Sequence, residues 1–370
     1  MGRSSRKKSF AERPGGSRSG EVSGPPSEAP PRDESVRRVR LRSVMWWCGG
    51  VAGAAIAVGA VLILLQPQNG QAESPVSSYR LDQIPFDGAD AYEHLKWLCE
   101  IGPRPSGSPG MKVQQELLLR HFSELGAEVE LQQFTGRDPR SGAGVPMANV
   151  IARFFPERAD RILLCAHYDT LPLPIRDPVN PHGRFVGAND GASGTAVLMT
   201  MARYSGEFPR RFGVDLVLFD GEEFLFEEWQ PYFQGSEYFA REYARSAKQR
   251  PWRYRAAVLL DMIGDADLQI YQERNSAWWR DTRWIVEGIW STAARLRVRE
   301  FIPKKKYEVR DDHIPLHNIG GISAIVLIDF DYPFWHTQQD VPEKCSALSL
   351  AKVGWVVLEW MKSLDAARVP

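Results

Sequence analysis

The chain has 370 residues, of which 43% are hydrophobic and 25% are charged, and this composition excludes a wholly disordered or fibrous protein. Lysine plus arginine and aspartate plus glutamate both total 46 residues, so no net charge favours the binding of nucleic acid. The four cysteines form no CxxC pair, which excludes a thiolate zinc site and a dense disulfide framework and leaves a single disulfide open.

The amino-terminal part of the chain predicts a membrane anchor. Residues 1–42 are rich in Ser, Gly, Pro, Arg and Lys, which predicts a disordered basic tail. The uncharged apolar run that follows can span a bilayer, so residues 43–66 are predicted to form a transmembrane signal anchor. A cleaved signal peptide and a buried core helix stay open as alternatives. Arginines precede the span and no such cluster follows it, so we expect the tail in the cytoplasm and the rest of the chain across the membrane.

A polar linker at residues 67–79 separates the predicted anchor from one folded domain at residues 80–370. Within this domain, apolar residues at helical spacing alternate with short apolar runs. Predicted helices cover residues 110–125, 194–204, 282–295 and 348–364, and predicted strands cover residues 128–134, 149–154, 161–166, 214–219, 256–262 and 322–328. This alternation predicts an α/β fold with a mixed, mostly parallel central sheet flanked by helices.

Histidines and carboxylates follow the predicted strands at five places. Open α/β sheets bind ligands beyond the carboxyl ends of their strands, where these side chains would meet. In the absence of thiolates, histidine and carboxylate are the ligands that zinc takes. One such residue is weak evidence, but the whole set predicts a metal site. Its members are His167 and Asp169 in AHYDT, Asp190 in GANDGASG, Glu222 and Glu223 in FDGEEF, Asp261 in LLDMIGD and His336 in FWHT.

Two pairs within this set suggest a division of roles. Of the adjacent Glu222 and Glu223, one can bind metal while the other is left to move protons. Asp169 follows His167 by two residues and can accept its imidazole N–H, which would fix the tautomer and orientation of the ring.

The ordered set HYD, NDGASG, DGEE, DMIG and WHT resembles the M28 metallopeptidase-like family over roughly residues 85–366. Within that family, RPSGSPG, GSEYFA, DDHIPL and FWHT are similar to stretches of the glutaminyl cyclases, and ordinary M28 peptidases usually lack the last two. The resemblance implies an aminopeptidase-like α/β fold with one zinc ion per chain. It also implies peptide or protein substrates with amino-terminal glutamine, which is converted to pyroglutamate with release of ammonia.

Carried over position by position, the cyclase pattern makes Asp190, Glu223 and His336 the zinc ligands and Glu222 the proton carrier. The same pattern implies a hydrogen-bonded acidic pair beside the site and three substrate-binding residues. The acidic pair is Asp261 and Asp311, and the substrate-binding residues are Trp335, Trp229 and His313.

Three positions depart from that pattern. Trp229 lies about one residue farther along the chain than the cyclase tryptophan, and Leu316 replaces a Phe. The secreted animal enzymes carry a disulfide beside the first motif, whereas Cys165 has no cysteine near Thr195, so the resemblance implies that this disulfide is absent.

A two-zinc aminopeptidase is the alternative. His167, Asp190, Glu223, Asp261 and His336 would be its ligands, with Asp190 bridging the metals. Glu222 would then activate water to remove the amino-terminal residue. A third hypothesis, an inert domain used only for binding, predicts a lost ligand or a lost Glu222, and none is lost. The DDHIPL and FWHT stretches favour the cyclase.

Overall fold

The structure of the protein is a computed structural model that describes residues 76–367 and residue 369. The predicted tail at 1–42, the predicted anchor at 43–66, Cys48 and the linker up to residue 75 lie outside the described residues. Within the described residues, no helix combines the length and the apolar character needed to cross a membrane.

Helices and strands alternate along the described chain. The strands are β1 (Glu128–Arg137), β2 (Gly144–Phe154), β3 (Asp160–His167), β4 (Gly213–Phe219), β5 (Arg253–Asp261), β6 (Ile270–Gln272), β7 (Phe301–Lys305) and β8 (Ala324–Ile328). The helices are α1 (Gly88–Ile101), α2 (Pro109–Glu124), α3 (Ala192–Ala202), α4 (Gln234–Arg245), α5 (Arg274–Trp278), α6 (Arg283–Arg295), α7 (His313–Asn318) and α8 (Ala347–Ser363).

The central sheet contains six strands in the order β1, β2, β4, β3, β5 and β8. The pairs β1/β2 and β2/β4 are antiparallel. The pairs β4/β3, β3/β5 and β5/β8 are parallel. Strands β6 and β7 form a separate small sheet. The predicted α/β fold with a mixed, mostly parallel central sheet is confirmed.

Burial on both faces explains the continuous apolar runs of the inner strands. In β3, Ile162 and Leu164 join a hydrophobic cluster on one face of the sheet, whereas Leu163 and Cys165 join a second cluster on the other face. Helix α3 is buried along its whole length on the first face. Gly194 allows this close packing, because a Cβ atom there would lie 2.2 Å from the carbonyl oxygen of Leu260.

Each of the predicted helices and strands corresponds to an observed one, with ends that differ by a few residues. The main difference in length is β2, which begins at Gly144 rather than 149. The sequence did not predict α1, α4, α5, α7, β6 and β7. Of these, α5, α7 and the two strands span only a few residues, too few for a hydrophobic period to show.

The domain begins before the predicted boundary at residue 80. Ser77 donates hydrogen bonds from its backbone N–H and its hydroxyl to the Glu300 carboxylate at 2.8 to 3.0 Å. Lys352 of α8 donates to the same carboxylate at 2.6 Å, and Tyr79 donates to the Leu296 carbonyl at 2.6 Å. The end of the predicted linker is therefore fixed to the domain.

His94 gives the folded protein a pH-dependent stability. Its side chain on α1 is buried, and burial lowers its pKa to about 4, aided by the nearby His121 and Arg203 and opposed by Asp90. Since the folded pKa lies below the unfolded value of about 6.5, the unfolded state binds the proton more readily. We expect the free energy of unfolding to fall as the pH drops from about 6.5 to about 4, by up to about 3 kcal/mol.

Denaturant unfolding at several pH values measures this effect. His94→Gln is expected to remove this decrease of the free energy of unfolding between about pH 6.5 and pH 4. His182→Gln, at an exposed position, serves as the matched control. Equal slopes in wild type and His94→Gln would contradict the assignment.

Candidate metal centre

The side chains that were predicted to form a metal site meet at the edge of the sheet where the parallel strands have their carboxyl ends. His167 is the last residue of β3 and Asp261 the last residue of β5. Asp190 precedes α3, whose amino-terminal cap Gly191 has a φ of 86°. A Cβ atom at position 191 would lie 2.8 Å from the carbonyl oxygen of Asp169, so this tight turn requires glycine. The predicted convergence at this edge is observed.

Asp190, Glu223 and His336 form the first cluster, with one ligand atom from each residue within 4.8 Å of the others. The Nε2 atom of His336 lies 3.4 Å from Asp190 Oδ2 and 3.4 Å from Glu223 Oε2. Ligands about 2.0 Å from a tetrahedral zinc ion are about 3.3 Å apart, which matches this spacing. Both carboxylate oxygens are buried and lack a hydrogen-bond partner among the described residues. These orphaned oxygens fit a cation.

His167, Asp190 and Asp261 form the second cluster. The Nε2 atom of His167 lies 3.1 Å from Asp190 Oδ1 and 3.2 Å from Asp261 Oδ1. Burial disfavours the charged imidazole, but the carboxylates of Asp169, Asp190 and Asp261 outweigh burial and raise its pKa. The His167 imidazole N–H therefore lies within reach of one carboxylate oxygen each of Asp190 and Asp261. In the first cluster, by contrast, the two carboxylate oxygens lack a hydrogen-bond donor among the described residues.

His336 is held in an unusual backbone conformation. Its φ is 59°, in the left-handed region that non-glycine residues rarely adopt. The Arg176 N–H donates to the His336 carbonyl at 3.1 Å. Burial lowers the pKa of His336, with further lowering by Arg176 and His167, so the ring is neutral and able to bind metal. Strain of this kind persists where the surrounding structure fixes it, as at functional sites.

The two adjacent glutamates face different surroundings. Glu223 accepts a hydrogen bond at Oε1 from the Leu171 N–H at 2.7 Å, which leaves Oε2 for a metal. The Glu222 carboxylate accepts no such bond within residues 76–367. Burial raises its pKa, and the nearby Asp312 and Asp311 raise it further against the opposing effect of His167. A carboxyl group with a raised pKa can both accept and donate a proton.

Asp169 lies beside both His167 and the glutamate pair. Its Oδ1 lies 3.6 Å from His167 Nδ1, which is too long for a hydrogen bond. Instead, its two oxygens accept the backbone N–H groups of Glu222 at 3.1 Å and Glu223 at 3.2 Å. Asp169 therefore orients the glutamate pair.

The structure shows no hydrogen bond between Asp261 and Asp311, although these carboxyl groups are neighbours. Asp311 is buried, and burial raises its pKa, followed by the charges of Asp261 and Asp312. Its Oδ1 accepts the Asp312 N–H at 2.7 Å, and its Oδ2 has no partner among the described residues. A raised pKa allows a protonated Asp311, the form that the predicted pair requires.

A cavity of about 250 Å³ opens beside His336. Trp335 lines this cavity, and the centroids of the Trp335 and His336 rings are 4.2 Å apart. The Arg176 guanidinium carbon lies 3.8 Å from the centroid of the Trp335 ring. The lining residues are Arg176, Glu228, Tyr232, Phe233, Glu308, Val309, Arg310, Phe330 and Trp335. Aromatic side chains with a few charges are typical of a pocket for a small part of a peptide.

Two of the predicted substrate-binding residues do not line this cavity. The Trp229 side chain is 80% exposed and is absent from the cavity lining. His313 is fully buried at the start of α7, with Nε2 3.4 Å from Glu273 Oε2 and its ring against Trp279. The substrate-binding roles of Trp229 and His313 stay predictions that the lining of this cavity does not support.

Several site residues escaped the sequence analysis. Tyr232 lines the cavity in place of Trp229, and Arg176 forms an ion pair with Glu228. Asp340 supports the metal ligand Asp190, whose backbone N–H it accepts at 3.1 Å. The signal for Asp340 was its position four residues after His336, whereas Arg176 and Tyr232 lie in loops without a strand-end pattern.

Asp340 should be required for tight metal binding. It also accepts the Asn189 N–H at 2.8 Å and the Tyr332 hydroxyl at 2.7 Å, and its side chain is fully buried. Asp340→Asn replaces one acceptor oxygen by an N–H donor, so we expect the dissociation constant for zinc to rise about 10- to 100-fold. Competition with a chelator measures this constant. Asp267→Asn, at an exposed position, is the control and should bind zinc as wild type does.

Comparisons with known proteins agree with this geometry. Residues 149–361 match peptidase family M28. The glutaminyl-peptide cyclotransferase of Boiga dendrophila is 25% identical over 307 residues, which cover 72% of this chain and 80% of that protein. The crystal structure of Fimbriiglobus ruber glutaminyl cyclase has a TM-score of 0.72 and 39% identity, covering 75% of this chain and 95% of the other. The crystal structure of a Zn-dependent exopeptidase from Parabacteroides distasonis has a TM-score of 0.69 and 28% identity, covering 75% of this chain and 98% of the other.

Proposed function

Because the chain belongs to peptidase family M28 and is similar to the glutaminyl cyclases within it, we propose that it is a zinc-dependent glutaminyl-peptide cyclotransferase. Its substrates would be peptides or proteins with amino-terminal glutamine, and its products would be the pyroglutamyl peptide and ammonia. The 39% identity with the Fimbriiglobus ruber enzyme over 75% of the chain supports this activity over others in the family.

A difference between the two clusters of possible metal ligands favours one reaction, cyclisation, over the other, aminopeptidase cleavage. Asp190 Oδ2 and Glu223 Oε2 are buried without partners, so the cluster with His336 fits one zinc ion. His167, by contrast, is within hydrogen-bond distance of Asp261 and forms a close ion pair with Asp190, so it can serve as a supporting group. One metal site and one supporting network favour the cyclase over the two-zinc aminopeptidase.

In this proposal, zinc bound by Asp190, Glu223 and His336 would withdraw electron density from the side-chain amide oxygen of the substrate. The substrate's own α-amine is the nucleophile, so no water has to be activated. Glu222 takes a proton from the attacking amine and returns it to the departing ammonia. Its raised pKa suits both steps. The Asp261/Asp311 pair, in which Asp311 can hold a proton, stabilises the charged intermediate.

The test is an assay of residues 75–370, loaded with zinc, on a glutamine-starting dipeptide amide and on aminoacyl anilides. Release of ammonia with formation of a pyroglutamyl product supports the cyclase. Release of the free amino acid from the anilides without ammonia from the amide would instead support the aminopeptidase, for which the second cluster around His167 provides the ligands.

We further propose that residues 43–66 anchor the enzyme in a membrane with the catalytic domain across it from the cytoplasm. The sequence alone supports this proposal, through the uncharged run and the arginines before it. Recovery of the full chain in the soluble fraction after high-salt washing of membranes would contradict it.

A further inference from the structure

Tyr232 places a hydroxyl group in the wall of the cavity beside the metal centre. Its partly buried ring packs against Leu171, Phe185 and Leu225. Its hydroxyl makes no hydrogen bond to any other residue in the described part of the chain, and it is not fully buried, so a molecule in the cavity can reach it. A partly buried tyrosine hydroxyl usually has a partner, so the cavity is where a ligand could supply one.

The backbone next to Tyr232 holds this side chain in place. Phe233 has a φ of 68°, in the left-handed region, and donates its N–H to the Glu222 carbonyl at 2.9 Å. The Gln234 N–H donates to the Gly221 carbonyl at 2.9 Å. The loop between Gly221 and Gln234 is thus closed by two hydrogen bonds at its base, and Tyr232 is fixed beside the glutamate pair.

The surroundings of Tyr232 keep its hydroxyl protonated. Burial raises the pKa of Tyr232, and the next largest contributions come from Glu222 and Glu223, with a smaller one from Asp190. The hydroxyl therefore stays protonated over the whole working pH range and acts as a hydrogen-bond donor. It is a neutral donor in the wall of the cavity that Trp335 also lines, and its ring packs on the cluster of Leu171, whose N–H donates to Glu223 Oε1.

We infer that Tyr232 donates a hydrogen bond to the γ-carbonyl oxygen of the substrate's glutamine side chain as negative charge develops on that oxygen. This inference rests on the proposed cyclase activity. The α-amine nitrogen forms a bond to the carbonyl carbon of the side-chain amide (the δ-carbon) and loses a proton to Glu222, and the electron pair of the C=O double bond moves to the oxygen. When the double bond forms again, the bond from carbon to the amide nitrogen breaks, and Glu222 supplies the proton with which ammonia departs. A donor aimed at the oxygen stabilises the charge between these two steps.

Tyr232→Phe tests the inference because it removes the hydroxyl and keeps the ring. Donors of this type contribute about 10²- to 10³-fold to kcat. We expect kcat for ammonia release to fall by about 10²-fold, with KM changed less than about threefold, because the bond strengthens mainly in the transition state. Zinc content and the midpoint of thermal unfolding should match wild type.

Tyr238→Phe is the matched control, since Tyr238 stacks on Phe134 and does not line the cavity. Tyr232→His keeps an N–H donor on a different ring, and its kcat should exceed that of Tyr232→Phe. Provided that wild type releases ammonia, three results for Tyr232→Phe would each overturn the inference. They are a wild-type kcat, a change in KM alone, and a loss of activity that follows loss of zinc. A wild-type protein that releases no ammonia would overturn the proposed function itself.

Discussion

Replacement of Glu222 by glutamine is expected to lower kcat for ammonia release by about 10²- to 10⁴-fold while zinc stays bound. The amide cannot take the proton from the attacking amine or return it to the leaving ammonia. The backbone at position 222 is held by Asp169, and Glu222 itself is outside both metal-binding clusters, so the ligand geometry should survive. Steady-state kinetics together with metal analysis of the purified variant measure both quantities.

Glu227→Gln is the matched control, because it makes the same chemical change five residues along the chain at an exposed position. It should keep wild-type kcat. If Glu222→Gln lost zinc, the roles of Glu222 and Glu223 would have to be exchanged. If it kept full activity, Glu222 would not be the proton carrier.

Removal of the His336 imidazole is expected to abolish both zinc binding and activity, whereas removal of the His167 imidazole should leave zinc in place. His336→Ala deletes one of three ligands and leaves two partnerless carboxylate oxygens, Asp190 Oδ2 and Glu223 Oε2, without a shared metal. His167→Ala deletes a group that contacts Asp190 and Asp261, so we expect lower activity with one zinc ion retained. Metal analysis of the two variants distinguishes the cases.

His182→Ala, at an exposed position, controls for the general effect of replacing a histidine and should retain zinc and activity. Two zinc ions in wild type, with one lost in each of His336→Ala and His167→Ala, would favour the two-zinc aminopeptidase. One zinc ion in wild type that persists in His167→Ala supports the cyclase.

The sequence predictions agree best with the structure for side chains that can bind metal and that lie at the ends of strands. Ligand types are visible in the sequence because His167 and Asp261 end two buried strands, and parallel strands bring their carboxyl ends to one edge. Asp190 could also be predicted, because it precedes Gly191, the glycine that the tight turn requires. The side chains of the candidate metal centre could therefore be predicted from the sequence.

The disagreements lie in loops and in short helices. Trp229 and Tyr232 are three residues apart in an irregular segment, and no periodic pattern shows which side chain faces the cavity. His313 occurs in a motif stretch, yet its position at the start of α7 buries it against Glu273. In both cases, the direction of a side chain depends on contacts with residues distant in the chain.

The sequence by itself determined the α/β fold and the identity of the candidate metal ligands, because hydrophobic periodicity and residue chemistry are local properties. Only the tertiary structure decided which carboxylate oxygens remain without partners, that Asp169 holds the glutamate pair, that Asp340 supports Asp190, and that Tyr232 faces the cavity. The physical reason is that hydrogen-bond satisfaction and burial depend on the relative positions of loops far apart in sequence, which the packing of the sheet and helices sets.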